Sequence, residues 1–157
     1  MTNWTTLATE APDLAARARA AFEAHKHKVL ATTRTDGAPR VSGTELDFSG
    51  DDIWLGSMPG AMKARDLQRD PRFALHSAPL DLALATPDVK IAGHAVEITD
   101  DAEKQAWVDA RTGPVPPGPF HLFRLDVNEL VLTSVDGDHM VVESWHAGRG
   151  IRRIERT

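Results

Sequence analysis

Lys63 stands in Met58-Pro59-Gly60-Ala61-Met62-Lys63-Ala64-Arg65-Asp66-Leu67, where a turn passes into a helix that must stop by Asp70, ahead of Pro71. The first N–H groups of a helix lack intrahelical acceptors and carry partial positive charge, so acids normally gather there. Here the first turn holds Met62 and Lys63, Arg65 follows, and the first acid is Asp66. A cation at that end costs about 0.3–1 kcal/mol unless an anion offsets it. A phosphate on the N–H groups of Gly60, Ala61 and Met62, with Lys63 closing over it, reverses the sign. A solvated helix whose lysine bends away to water is the other reading of the same residues.

Other chemistries find less support. The chain has seven histidines. His25 and His27 lie two apart near a helix end, and His76, His94, His121, His139 and His146 fall in separate strands. No His-Glu-x-x-His is present, so a metal site would need assembly from distant strands. The absence of cysteine excludes disulfides, thiolate nucleophiles and cysteine-based zinc sites. Gly56-Ser57-Met58-Pro59-Gly60 has one residue too many after the serine for a nucleophile elbow. Trp54 and Trp107 read as core, while Trp4 precedes all expected structure. Trp145 ends a strand beside His146-Ala147-Gly148-Arg149-Gly150, where a core role and a ligand contact are both open.

Charge points to a small anionic ligand. The net charge is −5, yet residues 60–72 contribute +2 and residues 149–157 contribute +3. Two basic islands in an acidic chain suit a compact anion better than a nucleic-acid groove, which needs a broad positive face. No apolar run of about 18 residues or basic-then-apolar leader is visible, so no membrane partner and a cytoplasmic location are expected.

The elements that position these residues are short. Leu14 to Lys26 forms an amphipathic helix with Asp13 as cap, after a flexible stretch over residues 1–12. Val29–Arg34 and Arg40–Phe48 are strands joined by the turn Thr35-Asp36-Gly37-Ala38. Ile53–Leu55 is a buried strand, Arg72–Ser77 another, and Val89–Thr99 a third with a bulge at Gly93. Pro79 to Pro87 reads as a loop, although Leu80, Leu82 and Leu84 alternate. Asp100 to Arg111 is a helix with Ala106, Trp107 and Ala110 inward, and the proline-rich run 112–119 is a rigid loop. Phe120–Asp126, Leu130–Val135 and Met140–Trp145 are the last strands, followed by a basic tail over 147–157. Mostly hairpin-linked strands with few helices predict a single mainly β domain, an antiparallel barrel with peripheral helices.

Three segments together resemble the flavin-binding split barrels, relatives of pyridoxamine 5′-phosphate oxidase that include deazaflavin-dependent reductases. They are Leu30 to Val41, Ile53-Trp-Leu-Gly-Ser57, and the run from Ala61 through Lys63-Ala-Arg-Asp-Leu-Gln-Arg-Asp-Pro-Arg to Leu75. The resemblance implies a six-stranded antiparallel split barrel, a homodimer with FMN at the subunit interface. It implies that Arg40 and Lys63 reach the FMN phosphate, with Ala61 and Met62 beside them, and that Leu55, Gly56 and Ser57 lie along the isoalloxazine ring. His76 and Ser77 would line the far side of the ring, Asp88 stands where the oxidases carry a glutamine, and Trp145 and Arg149 match contacts from the second subunit.

The pattern also departs from the family. Ala61-Met62-Lys63 replaces Ser-Arg-Lys, Glu45 stands where the oxidases have a second basic residue, and their substrate-binding Arg-x-His has no counterpart. The expectation is a flavin-dependent oxidoreductase acting on a small molecule other than pyridoxamine phosphate. The deazaflavin coenzyme F-420 is the alternative cofactor, and a non-catalytic flavin or heme binder is the alternative role.

Overall fold

A computed structural model of the chain describes residues 2–79, 82–115 and 117–157. Within these residues lie four helices and nine strands. In chain order they are α1 (Trp4–Glu10), α2 (Pro12–Glu23), β1 (Lys28–Thr33), β2 (Pro39–Thr44), β3 (Asp47–Ser49), β4 (Asp52–Ser57) and α3 (Met62–Arg69). Then follow β5 (Arg72–His76), β6 (Asp88–Ile98), α4 (Asp101–Ala110), β7 (His121–Asp136), β8 (His139–His146) and β9 (Gly150–Arg156).

Every strand pairing is antiparallel, and the sheet runs β2-β1-β5-β6-β7-β4-β3, with β8 and β9 added from the second half of β7. No pairing among the described residues joins β2 to β3, so the barrel is split rather than closed. The core follows from alternation: Leu30, Ile53, Leu55, Leu75, Ile91 and Leu125 point inward from five of the strands and are fully buried. The long β6–β7 ladder slips register at Ala92/Gly93. A Cβ on Gly93 would meet the Asp126 carbonyl oxygen at 1.9 Å, so only glycine lets the two backbones approach this closely.

The structure departs from the sequence reading in several places. Trp4–Glu10 is a helix where flexible chain was expected, capped by Asn3, whose side chain accepts from Thr6 N. Trp4 is buried and meets the Phe48 ring edge-on at 5.2 Å. Asp13 lies in the first turn of α2 and bonds Arg17; the capping position is Ala11, which makes no side-chain cap, and Pro12 pre-sets the first turn. Arg40–Phe48 is two strands, broken at Glu45 and Leu46. The segments 120–126 and 130–135 belong to one 16-residue strand, because the register slip absorbs the irregularity between them. In α4 only Trp107 is buried, whereas Ala106 and Ala110 face solvent. Residues 150–156 of the expected basic tail form edge strand β9, held to β8 by backbone bonds despite its arginines. As the loop reading expects, Leu82 sits in a turn and Leu84 in irregular chain rather than in a strand, and Leu80, like Pro116 of the proline-rich loop, lies outside the described residues.

Candidate functional site

The site grows from the end of β4. The strand delivers Gly56 and Ser57, the chain turns through Met58–Gly60 with Gly60 at φ +72°, and α3 begins at Met62. No acid lies in the first turn of α3, and Ala61 provides no side-chain cap. Lys63 reaches across to donate to the Gly43 carbonyl of β2 at 2.8 Å. Burial pushes its ammonium pKa below the usual lysine value, while Glu45 pulls the other way.

These residues open onto a cavity of about 790 Å³, within the range of small-molecule sites. Of the residues singled out from sequence, Gly56, Ser57, Ala61 and Lys63 line it. An added Cβ on Gly56 would meet nothing within 4 Å, so β4 presents open backbone there. Ser57 is buried and its Oγ has no hydrogen-bond partner. Across the ladder from Ser57 stands His121, whose Nδ1 lies 2.8 Å from Glu97.

The other candidates lie elsewhere. Arg40 does not line the cavity: its Nε donates to Asp66 at 2.7 Å. Asp66 is 1% exposed and also accepts from Thr32 Oγ1 at 2.8 Å. Burial alone would raise the Asp66 pKa, but the bonds from Arg40 and Thr32, the Arg40 charge and Arg69 together hold it below the ordinary aspartate value. Leu55 is sealed in the core and Met62 is half exposed on α3. His76, Ser77 and Asp88 gather where β5 meets β6, with Ser77 Oγ accepting from Val89 N at 3.0 Å. Trp145 is fully buried, its indole N–H donating to Glu10 at 3.0 Å. Arg149 sits in the β8–β9 turn.

The opposite wall was not anticipated. It comes from α4 and the loop after it, with Trp107, Arg111 and Phe120, together with Trp54 and Asp47 from the β3–β4 hairpin. Trp107 and Arg111 are four residues apart, a spacing that sets two side chains near each other at a helix end, and Arg111 is the residue that ends α4. That was the one signal in the sequence. Among the described residues, no group of three or more His, Asp or Glu side chains is arranged to hold a metal ion, and no helix is long and apolar enough to cross a membrane.

Residues 14–134 match the family model described as pyridoxamine 5′-phosphate oxidase. No curated protein matches the chain. Among solved structures, a pyridoxamine 5′-phosphate oxidase-related, FMN-binding protein from Nostoc punctiforme superposes with a TM-score of 0.61 at 14% identity, covering 93% of this chain and 94% of that one. PhzG from Burkholderia lata, solved with tetrahydrophenazine-1-carboxylic acid, gives 0.60 at 15% identity, covering 84% and 82%. HutZ, the heme storage protein of Vibrio cholerae, gives 0.59 at 18% identity, covering 78% and 94%. At these identities the likeness is one of fold.

Proposed function

This chain belongs to the pyridoxamine 5′-phosphate oxidase family, and on that premise we propose that it binds FMN in the β4–α3 cavity and works as a flavin-dependent oxidoreductase on a small molecule. The observation that carries the reading is the meeting of Lys63, an acid-free helix start and the open Gly56 backbone in one cavity. The residues present fit the cofactor. The start of α3 and Lys63 suit the phosphate, Gly56 lets a flat ring lie against β4, and the unpartnered Ser57 hydroxyl offers a hydrogen bond.

Bound flavin would supply hydride transfer; the chain's own work is anchoring, orientation and exclusion of water. Lys63 neutralises phosphate charge and β4 fixes the ring plane. The aromatic wall opposite keeps the space between them dry. No acid or base of the chain is assigned to the reaction.

A second copy of the chain belongs to this proposal. Strand alternation places Val29, Val41, Val135 and Met140 on the sheet face away from the core, and all four are exposed, Val41 by 69%. A second subunit over that face would cover them and bring a partner surface toward the cofactor.

The deazaflavin coenzyme remains a second reading, favoured by Met62 standing where the resembled family has arginine, which leaves fewer cations at the phosphate. Apo protein titrated by calorimetry with FMN, the deazaflavin coenzyme and heme separates the possibilities. Saturable FMN binding, tightest of the three, is expected. Tightest binding of deazaflavin moves the cofactor assignment, and binding of heme alone overturns the oxidoreductase reading.

A further inference from the structure

Two buried N–H donors belong to residues on the far wall of this cavity, and neither has an acceptor: Trp107 Nε1 and Arg111 Nε. Buried polar groups are almost always hydrogen-bonded, and for these two orphans, one in the last turn of α4 and one at the extended residue that ends it, the chain supplies no acceptor. Arg111 is not a free cation. Its Nη1 lies 3.4 Å from Asp47, and its guanidinium stacks over the Trp107 ring at 4.4 Å. Its Nε–H is the buried donor left without an acceptor.

Charge around the cavity sharpens the point. Glu45 and Asp47 line it against Lys63 and Arg111, two acids balancing two cations, and His27 at the rim faces Glu45 at 3.7 Å. Once a cofactor phosphate occupies Lys63, the charge lining the cavity turns negative, although Lys26 also pairs with Glu45 at 3.3 Å, and a second anion beside it is disfavoured. The remaining surface of this wall is flat and apolar, formed by Trp54, Phe120 and Pro114, Pro117 and Pro119.

We propose that this wall receives a neutral, planar aromatic substrate bearing a hydrogen-bond acceptor, such as a carbonyl or amide oxygen, which pairs with Trp107 Nε1 and Arg111 Nε. The inference rests on the flavin reading above and names the substrate class of the same cavity. A site built around unpaired donors favours a ligand that satisfies them over one of equal shape that does not.

The test uses FMN-loaded protein and calorimetric titration with three probes of one ring system. 2-Naphthamide is neutral and carries an acceptor, 2-naphthoate is its anionic counterpart, and naphthalene lacks an acceptor. Binding of 2-naphthamide is expected to be about five- to tenfold tighter than binding of either other probe. Trp107→Phe keeps a ring without the N–H, and Arg111→Lys keeps the charge beside Asp47 without Nε. Each is expected to remove most of the preference for 2-naphthamide over naphthalene, compared between samples of equal FMN occupancy. Equal or tighter binding of 2-naphthoate, absence of saturable 2-naphthamide binding, or an undiminished preference in both variants overturns the inference. Wild-type protein that takes up no FMN overturns the flavin reading instead.

Discussion

Arg40 is bound to Asp66: its Nε donates to the Asp66 carboxylate at 2.7 Å, and the acid is almost completely buried. The arginine that the resemblance assigned to a cofactor phosphate is thereby engaged inside the subunit, tying β2 to α3. Removing one member of a buried pair leaves the other charge without compensation, at a cost of about 3–5 kcal/mol. Arg40 keeps a quarter of its side-chain surface in water, so the lower end applies. Asp66→Ala should lower stability by about 3 kcal/mol, read from urea unfolding. A loss under about 1 kcal/mol would mean the pair does little.

The same carboxylate gives stability a defined pH dependence. Its folded pKa is depressed, so its contribution is complete above the unfolded value of about 4 and is lost as pH falls through the folded value. The urea midpoint of the wild type should drop steeply on acidification from about pH 5 to 3, and Asp66→Asn should flatten part of that fall. Parallel curves for the two proteins would contradict this.

Gly93 should tolerate no side chain. The Asp126 carbonyl occupies the place of its Cβ at 1.9 Å, and backbone cannot rotate away as a side chain does. Gly93→Ala is expected to cost at least about 3 kcal/mol through forced separation of β6 and β7. Gly43→Ala, in open space on β2, is the comparison and should change stability by under about 1 kcal/mol. Similar effects at both positions would refute the packing argument.

Light scattering at micromolar concentration should give twice the chain mass of 17.1 kDa. Val41→Lys, which places a charge on the exposed sheet face, should shift the protein toward monomer. A wild-type monomer that binds flavin fully would remove the second subunit from the account.

Much of the site was legible in the sequence because it is local. Gly56, Ser57, Ala61 and Lys63 fall within eight residues, and strand, turn and helix each have their own chemistry of alternation, glycine and small apolar spacing. The first helix was not legible. Its seven residues show no usable period, and it is held by the Asn3 cap and by Trp4 against Phe48, forty-four residues away. β9 was missed because its stability lies in backbone bonds to β8, while its side chains read as a solvated basic tail. The wall of Trp107 and Arg111 faces β4 only through the fold. Likewise nothing in the local pattern around Arg40 reveals that its charge is answered by Asp66.

The most direct test of the cofactor site is Lys63→Ala. If a cofactor phosphate rests on the start of α3, this change removes a charge-assisted contact and should weaken FMN binding by about 1–3 kcal/mol, or roughly 5- to 150-fold. The apo protein should be as stable as wild type or slightly more so, because a half-buried cation leaves the positive end of a helix. Arg34→Ala, in the exposed β1–β2 turn, removes the same charge elsewhere and should leave affinity unchanged. Calorimetric titration of the three apo proteins with FMN decides the matter. A Lys63→Ala protein that binds FMN as tightly as wild type would place the phosphate elsewhere and contradict the account.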